Sequence, residues 1–421
     1  MPSFPFRFIA LAISLASAFP ISSSLADDPR YEIDLTIARQ GFDREMCWVH
    51  ARAGAIPPLT EANPGSLPLV VMTLQKLQLS GSDIFYALNE MRSTDLGNTW
   101  TDPKEHASFA RQPFSYGGKD DLEITVCDFW PKWHAKTGKL LGTGHTVVYE
   151  NNHVAKVRPR GTAYAVYEPT SQSWSPWKTI AMPDDPKFVN AGAGCVQRVD
   201  LENGDILLPV YFKALDAAQY SVAVVRCRFD GDTLSYAEHG TELSVPIKRG
   251  LYEPSLAKSG DRFFLTLRND DHGYVAVSDD GLTYSEPKKW TFDDGSDLGN
   301  YNTQQHWVTH GDALFLVYTR RGADNDHVFR HRAPLFIAQV DREKLQIIRR
   351  TEKILVPEKG ARMGNFGVTQ VSDAETWITV TEWMQGPGPN YTDPAPLIAR
   401  GADNRIWVAK IKWWDGLRPV P

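Results

Sequence analysis

The residues of this chain best suited to chemistry near neutral pH are its histidines and arginines, and they recur at corresponding places in strand-like segments. Imidazole titrates in that range, and guanidinium grips a carboxylate or sulfate through two parallel bonds. His50 and Arg52 lie two apart in MCWVHARAG, residues 46–54, and so share one face of an extended strand. Trp130 ends ITVCDFW, residues 124–130, with Trp133 and His134 just beyond, and His145 falls in GTGHTVVY. Gln197 and Arg198 belong to CVQRVDL, Glu253 opens EPSLAKS, and Arg268-Asn269-Asp270 closes the strand after it. NTQQHWV supplies Gln304, Gln305 and His306, and Arg320, Arg321, Asn325, His327, Arg330 and Arg332 follow. The last such run, NFGVTQV, offers Asn365, with Glu382 further on.

A charged or amide side chain within a strand core is costly unless it is paired or wet. Its recurrence in run after run points to one shared cavity. The expected roles are proton transfer for His145 and His306, and acid/base work or the orienting of a neighbour for Glu253. Arg52, Arg268 and Arg320 are expected to clamp a carboxylate. His50, His134, Arg198, Asp270, Gln305, Arg321, His327 and Arg330 would complete the binding surface, and Trp130, Trp133 and Trp307 offer stacking faces. An acidic oligosaccharide or polysaccharide is the natural ligand. No metal-ligand set stands out and no cofactor is expected; a structural calcium ion in a central channel would have no carboxylate-loop signature here.

The elements that must position these residues are all strands. No helix-period segment of convincing length follows the N-terminus, whereas short alternating or apolar runs are punctuated by turn residues. Six groups open near Met46, Ile124, Cys195, Glu253, Asn302 and Asn365, each followed by second strands such as 69–77, 140–149, 206–212, 262–267, 313–318 and 376–382. Third strands include 163–167, 221–228, 274–278, 335–340 and 406–413. Such a repeat predicts a single all-β propeller of four-stranded blades over residues 27–421. The count is six blades, with seven left open by the long interval between the first two groups. Residues 31–38 are expected to pair with 406–413 and close the ring. Residues 106–121 and 386–396 read as rim loops.

The turn Ser93-Thr94-Asp95-Leu96-Gly97-Asn98-Thr99-Trp100 carries the Asp-box pattern S-x-D-x-G-x-T-W. Ser and Asp can bond to amides inside the turn, Gly supplies a positive φ, and Trp is an apolar plug. Ser278-Asp279-Asp280-Gly281-Leu282-Thr283-Tyr284 is a shorter second copy. These boxes and the blade pattern resemble the sialidase superfamily of β-propellers. The runs PKWHAKTGKLLGTGHTVVY, EPSLAKSGDRFFLTLRNDDHGYVAVSDDGL and NTQQHWVTHGDALFLVYTRRGADNDHVFRHRAPLFIAQVD are similar to those of secreted bacterial proteins called exo-α-sialidases. That resemblance implies an exo-acting glycosidase. Sialidases carry an Arg-Ile-Pro motif, one of three carboxylate-clamping arginines, an Asp acid and a Tyr/Glu nucleophile pair. This chain has no Arg-Ile-Pro, and in RAGAIP, residues 52–57, Arg and Pro stand further apart. Its histidines also resemble those of propeller-type rhamnosyl-glucuronate lyases, rhamnosidases and ulvan lyases, which makes β-elimination of a uronate glycan the alternative, and a non-catalytic glycan-binding propeller the third reading.

Composition sets the outer limits. The chain has 421 residues, 42% of them hydrophobic, with 13 Trp, 15 Tyr and 19 Phe, enough for a large core. A net charge of -6 argues against a general nucleic-acid binder. Arg7, an apolar run over residues 8–21 and Ser24-Leu25-Ala26 read as a signal peptide, residues 1–26, cleaved before Asp27. A secreted or periplasmic protein is expected, with no membrane association after cleavage. Cys47, Cys127, Cys195 and Cys227 lack CxxC spacing, which disfavours zinc and leaves thiols and a disulfide both open.

Overall fold

The computed structural model describes residues 1–2, 31–81 and 83–414; the expected signal segment beyond Pro2 lies outside the described residues. The structure is all-β and propeller-like, with its strands in six sheets and one short α-helix, Ala395–Ala399, among the described residues. In chain order the first sheet runs Met46–Ile56, Leu69–Gln78, Phe85–Ser93 and Lys104–Glu105. The second is built on Lys119–His134, Lys139–Glu150 and Thr162–Glu168, and the third on Ile206–Lys213, Ser221–Phe229 and Leu234–His239. Tyr252–Ser259, Arg262–Arg268 and Tyr274–Ser278 form most of the fourth, and His306–His310, Ala313–Tyr318 and Leu335–Asp341 most of the fifth. The sixth joins Gly367–Ser372, Glu375–Thr381 and Ile406–Trp413 to Tyr31–Arg39 from the other end of the chain.

That last pairing is antiparallel, with Tyr31 opposite Trp413 and Ile37 opposite Trp407, as the strand character of residues 31–38 requires. It covers an edge that would otherwise present unpaired amides. The core fills the spaces between neighbouring sheets: Phe264, Trp290, Phe292 and Trp307 between the fourth and fifth, and Ala53, Met72, Trp377 and Val408 between the first and sixth. Two expectations are corrected. Residues 106–121 are not a plain loop: Gln112–Tyr116 pairs with Lys119–His134 in the second sheet, and Phe109 is buried. The third inner strand is not continuous from Cys195: its ladder is split between Asn190–Gly192 and Val199–Asp200, because residues 192–194 turn against the His145 ring.

Both Asp-boxes close as their residue types dictate. The Gly97 amide donates to Ser93 Oγ at 2.8 Å, the Thr99 amide to Asp95 Oδ1 at 3.0 Å and the Thr99 hydroxyl to Asp95 Oδ2 at 2.6 Å. The second copy repeats this through Gly281 on Ser278 and Thr283 on Asp280, at 2.6–2.9 Å. Gly97 has φ 75°, and a β-carbon there would lie 3.0 Å from the Trp377 ring of the sixth sheet. Gly97→Ala is therefore expected to destabilise the protein by about 1–2 kcal/mol. A lower urea midpoint with an unchanged slope would show it.

Candidate functional site

Every sheet has a non-glycine residue in the left-handed region at or beside its innermost strand, near the cavity. These are His50 (φ 60°), Asp128 (54°), Cys195 (60°), Glu253 (44°), Asn302 (52°) and Asn365 (67°). At three of them the ladder skips two residues, between Val49 and Arg52, Cys127 and Trp130, and Tyr252 and Ser255. Such bulges re-aim side chains out of the pleat. Here they meet one another. Asn365 Nδ2 donates to His50 Nε2 at 2.9 Å, Cys195 Sγ donates to Asp128 Oδ1 at 2.7 Å, and Arg52 Nη2 reaches the same oxygen at 3.1 Å. The Gln75 amide nitrogen is spent on Tyr86 O and Val126 O, so its oxygen faces His50 Nδ1 at 3.4 Å, while Asp128 Oδ1 lies 3.2 Å from His50 Nε2. Burial pushes the His50 pKa down to about 4, against the pull of Asp128. Burial would raise the Asp128 pKa, but the charges of His50 and Arg52 outweigh it and hold the carboxyl below its usual range.

Above this ring lies a cavity of about 610 Å³ with eight lysine and arginine side chains in its wall against four carboxylates. Some of that charge is matched. Arg268 is clamped by Glu253 and donates to Asn302 Oδ1 at 2.8 Å, and Arg249 bonds Asp270 at 2.7 and 2.9 Å and the Tyr252 hydroxyl at 2.6 Å. Burial would lower the Arg268 pKa, and Glu253 overrides it upward. Arg158, Arg160, Arg330, Arg332 and Arg362, by contrast, form no ion pair among the described residues and all line the same cavity. Burial, and then Arg268, Arg362 and Arg330, drive the Arg332 pKa well below normal. Burial and Arg330 pull Arg362 down to about 10, only partly offset by Asp83, and burial and Arg160 lower Arg158. A wall in this state favours an anion in the cavity.

The same wall carries a proton path. His145 Nδ1 is 3.0 Å from the Tyr211 hydroxyl and its Nε2 is 3.1 Å from Cys127 Sγ, with Asp128 Oδ2 at 3.9 Å. Burial, then Arg160, keep the His145 pKa well below normal, so its ring is neutral. Cys127, Asp128 and His145 offer atoms within 4.8 Å of one another, a spacing a metal could use. Arg52 and Cys195 both bond Asp128 Oδ1, and Oδ2 lies 3.9 Å from both His145 Nε2 and Cys127 Sγ. A second cavity, about 700 Å³, is lined by Trp130, Trp133 and Trp307, but two of its cations, Lys132 and Arg198, face Asp200 at 3.9 and 2.9 Å. Without a comparable charge imbalance it is the weaker candidate, despite its size.

Of the residues expected at the site, His145, Glu253, Arg268, Asp270 and Arg330 line the polar cavity, and His50 and Arg52 belong to the buried ring beneath it. The others lie elsewhere. His306 is fully buried between Trp130 and Phe366, with Ser255 Oγ at 2.6 Å from its Nδ1. His134 is spent on Thr137 and Gly204, and Gln305 on Thr266 and Thr303. Arg198 holds Asp200, Leu141 O and Lys132 O. Arg320 is bidentate to Glu352 at 2.8 Å, Arg321 donates to Asp271 O, and His327 meets Glu358 at 2.9 Å. These local partners take them out of the cavity. Sequence reasoning missed Asp128, Arg158, Arg160, Tyr211 and Arg362; the usable signals were Arg158-Pro159-Arg160 and an arginine three residues before Asn365.

The buried neutral histidines make stability pH-dependent. His50 is protonated near pH 6.5 in the unfolded chain and only near pH 4 when folded, so the unfolded state gains protons first as pH falls. Its contribution is complete above pH 6.5 and is lost on acidification to about pH 4, a change on the order of 3 kcal/mol. His50→Gln is expected to flatten the fall of Tm between those values, and an unchanged slope would contradict the assignment.

No family model matches this sequence, and no curated protein matches it. Solved structures do. A protein of unknown function from Dyadobacter fermentans superposes with a TM-score of 0.55 at 14% identity, over 91% of this chain and 99% of that one. A Hadza microbial sialidase gives 0.57 at 14% over 87% of this chain and 66% of its own. The Trypanosoma rangeli sialidase gives 0.54 at 12% over 91% and 60%, and the Streptococcus pneumoniae NanB sialidase 0.55 at 10% over 91% and 70%. At such identities the likeness is one of fold, and the fold is that of the sialidase-like β-propellers.

Proposed function

We propose that this chain is a secreted, sialidase-like exo-glycosidase that cleaves a terminal acidic sugar in the polar cavity. On this reading residues 27–421 form one domain, and each of the six sheets is a blade of one ring. The recurrence of a left-handed residue near the inner strand of every sheet supports that count. The observation that carries the functional reading is the group Arg330, Arg332 and Arg362, unpaired beside Arg268 in the wall that also presents the Tyr211 hydroxyl. These arginines would hold the sugar carboxylate. Glu253 positions Arg268 rather than reacting. Tyr211 would give its proton to the departing glycosidic oxygen as the C–O bond breaks, with the His145 Nδ1–H steadying the phenolate until solvent returns a proton to it. Water would supply the new oxygen and pass its proton to Asp83, which releases it to the solvent that reprotonates Tyr211; the Asp83 carboxylate lines the cavity and forms no ion pair among the described residues. No cofactor enters this scheme.

One observation favours a second reading. With His145 Nδ1 as the acceptor instead, Tyr211 could pass its proton to that nitrogen as it removes one beside a neutralised uronate carboxylate, then protonate the departing oxygen and take its proton back from His145, which completes β-elimination. The outcomes differ in the product. Hydrolysis adds water to the glycan, whereas elimination leaves an unsaturated sugar that absorbs in the ultraviolet. A digest of sialosides and uronate glycans read by mass and absorbance is expected to show added water. Binding without any product would reduce the protein to a lectin-like propeller.

In the same assay Tyr211→Phe should lower kcat roughly 100- to 10,000-fold with little change in KM. Arg332→Gln should raise KM. If Tyr211→Phe retained full activity, the proton-transfer assignment would be lost.

A further inference from the structure

We propose that the ligand of this cavity carries two anionic groups, a sugar carboxylate and a second strong acid substituent such as a sulfate ester on the same or the adjoining sugar unit. The inference rests on the acidic-sugar reading of the same site and narrows it to a doubly acidic saccharide.

The unpaired arginines fall into two sets. Arg330, Arg332 and Arg362 belong with Arg268: Arg330 and Arg362 both sit against Phe329, at 4.8 and 4.7 Å, and Arg332 and Arg268 share Asn302, one on its backbone oxygen and the other on its side chain. Arg158 and Arg160 form the other set. Arg160 lies over Tyr211 at 5.0 Å and Tyr220 at 5.7 Å, while Arg268 lies over Tyr252 at 4.6 Å. The rings of Tyr211 and Tyr220 approach Tyr252 to 6.4 and 6.1 Å, so a ridge of three tyrosines stands between the two cationic sets.

One carboxylate cannot serve both. Its two oxygens offer about four acceptor positions, which the donors of Arg330, Arg332 and Arg362 can fill by themselves. The other set would then stay uncompensated in the wall, with the Nε of both Arg158 and Arg160 buried and without an acceptor. A partly buried cation without a counter-charge is costly, and the tyrosine faces under Arg160 and the single carbonyl that Arg158 reaches offset this only in part. A second anion across the tyrosine ridge completes the offset. The ridge itself gives the intervening sugar ring a surface to lie on.

The test is calorimetric titration of the full chain, at fixed ionic strength, with a uronic-acid disaccharide having one carboxylate, its monosulfated form, and a disaccharide of two uronic acids. Doubly acidic probes are expected to bind at least roughly tenfold tighter than the singly acidic one. The better of the two identifies the second group as sulfate or carboxylate. In Arg158→Gln and Arg160→Gln, each checked for folding by circular dichroism, that ratio should collapse toward one. In Arg362→Gln all three probes should weaken together. Equal binding of the three probes by the unaltered protein, or an advantage that survives in both Arg158→Gln and Arg160→Gln, overturns the second anion while leaving a single-acid ligand standing. Binding of none of them overturns both readings.

Discussion

The arrangement depends on a backbone constraint: six non-glycine residues, one per sheet, held in the left-handed region around a common centre. A single such residue costs of order 1 kcal/mol or more and persists only where its surroundings over-determine it. Here the surroundings are largely the other members of the set and their partners. His50 is held by Asn365 and Gln75, Asp128 by Cys195 and Arg52, and Glu253 and Asn302 by Arg268, so strain at one sheet is offset by bonds to the next. Because every bulge re-aims its side chain, the cavity inherits a floor whose carboxylate, thiol and amide groups bond one another, although Arg52 keeps Nε and Nη1 without a partner among the described residues. The other free donors are left in the wall.

Charge placement follows from that division. The protein is acidic as a whole, and several arginines outside the cavity meet a nearby carboxylate, as Arg349 does Asp294 and Arg262 does Glu343. The cavity reverses this balance. Arg320 and Arg332 show how, since both follow the fifth inner strand: Arg320 finds Glu352 close by, whereas Arg332 is turned toward Asn302 and other arginines and finds only a backbone oxygen. Burying Arg332 in such company is unfavourable for the empty protein, and it stores affinity for whatever anion enters.

Much of this was legible in the sequence, because strand punctuation, the Asp-boxes and the closing pair of residues 31–38 with 406–413 are set by local residue types and alternation. Even the ring was partly visible: runs singled out for polar residues in apolar strands begin at Cys195, Glu253, Asn302 and Asn365 themselves. The choice of site residues transferred less well. His306, Arg320 and His327 have the same chemistry as His145, Arg332 and Arg362, and what separates them is whether a partner stands within reach in three dimensions. No periodicity encodes that. Tyr211 was hidden for another reason: in an apolar strand a tyrosine reads as core until the histidine beside its hydroxyl is known.

The buried cysteine behind His145 gives the hydrogen bonds around that ring their direction. Burial raises the Cys127 pKa far above normal, so it remains a thiol and can donate to His145 Nε2. With Nε2 accepting, the neutral imidazole carries its proton on Nδ1, where it points at the Tyr211 oxygen, and the tyrosine proton is left free to face the cavity. On the proposed glycosidase reading, this leaves Tyr211 as the acid for the leaving oxygen. Protonating His145 would need a charge that its burial and Arg160 both oppose, so its ring stays neutral and acts on Tyr211 by hydrogen bond alone. Asp128 stands 3.9 Å from His145 Nε2, too far to take its proton.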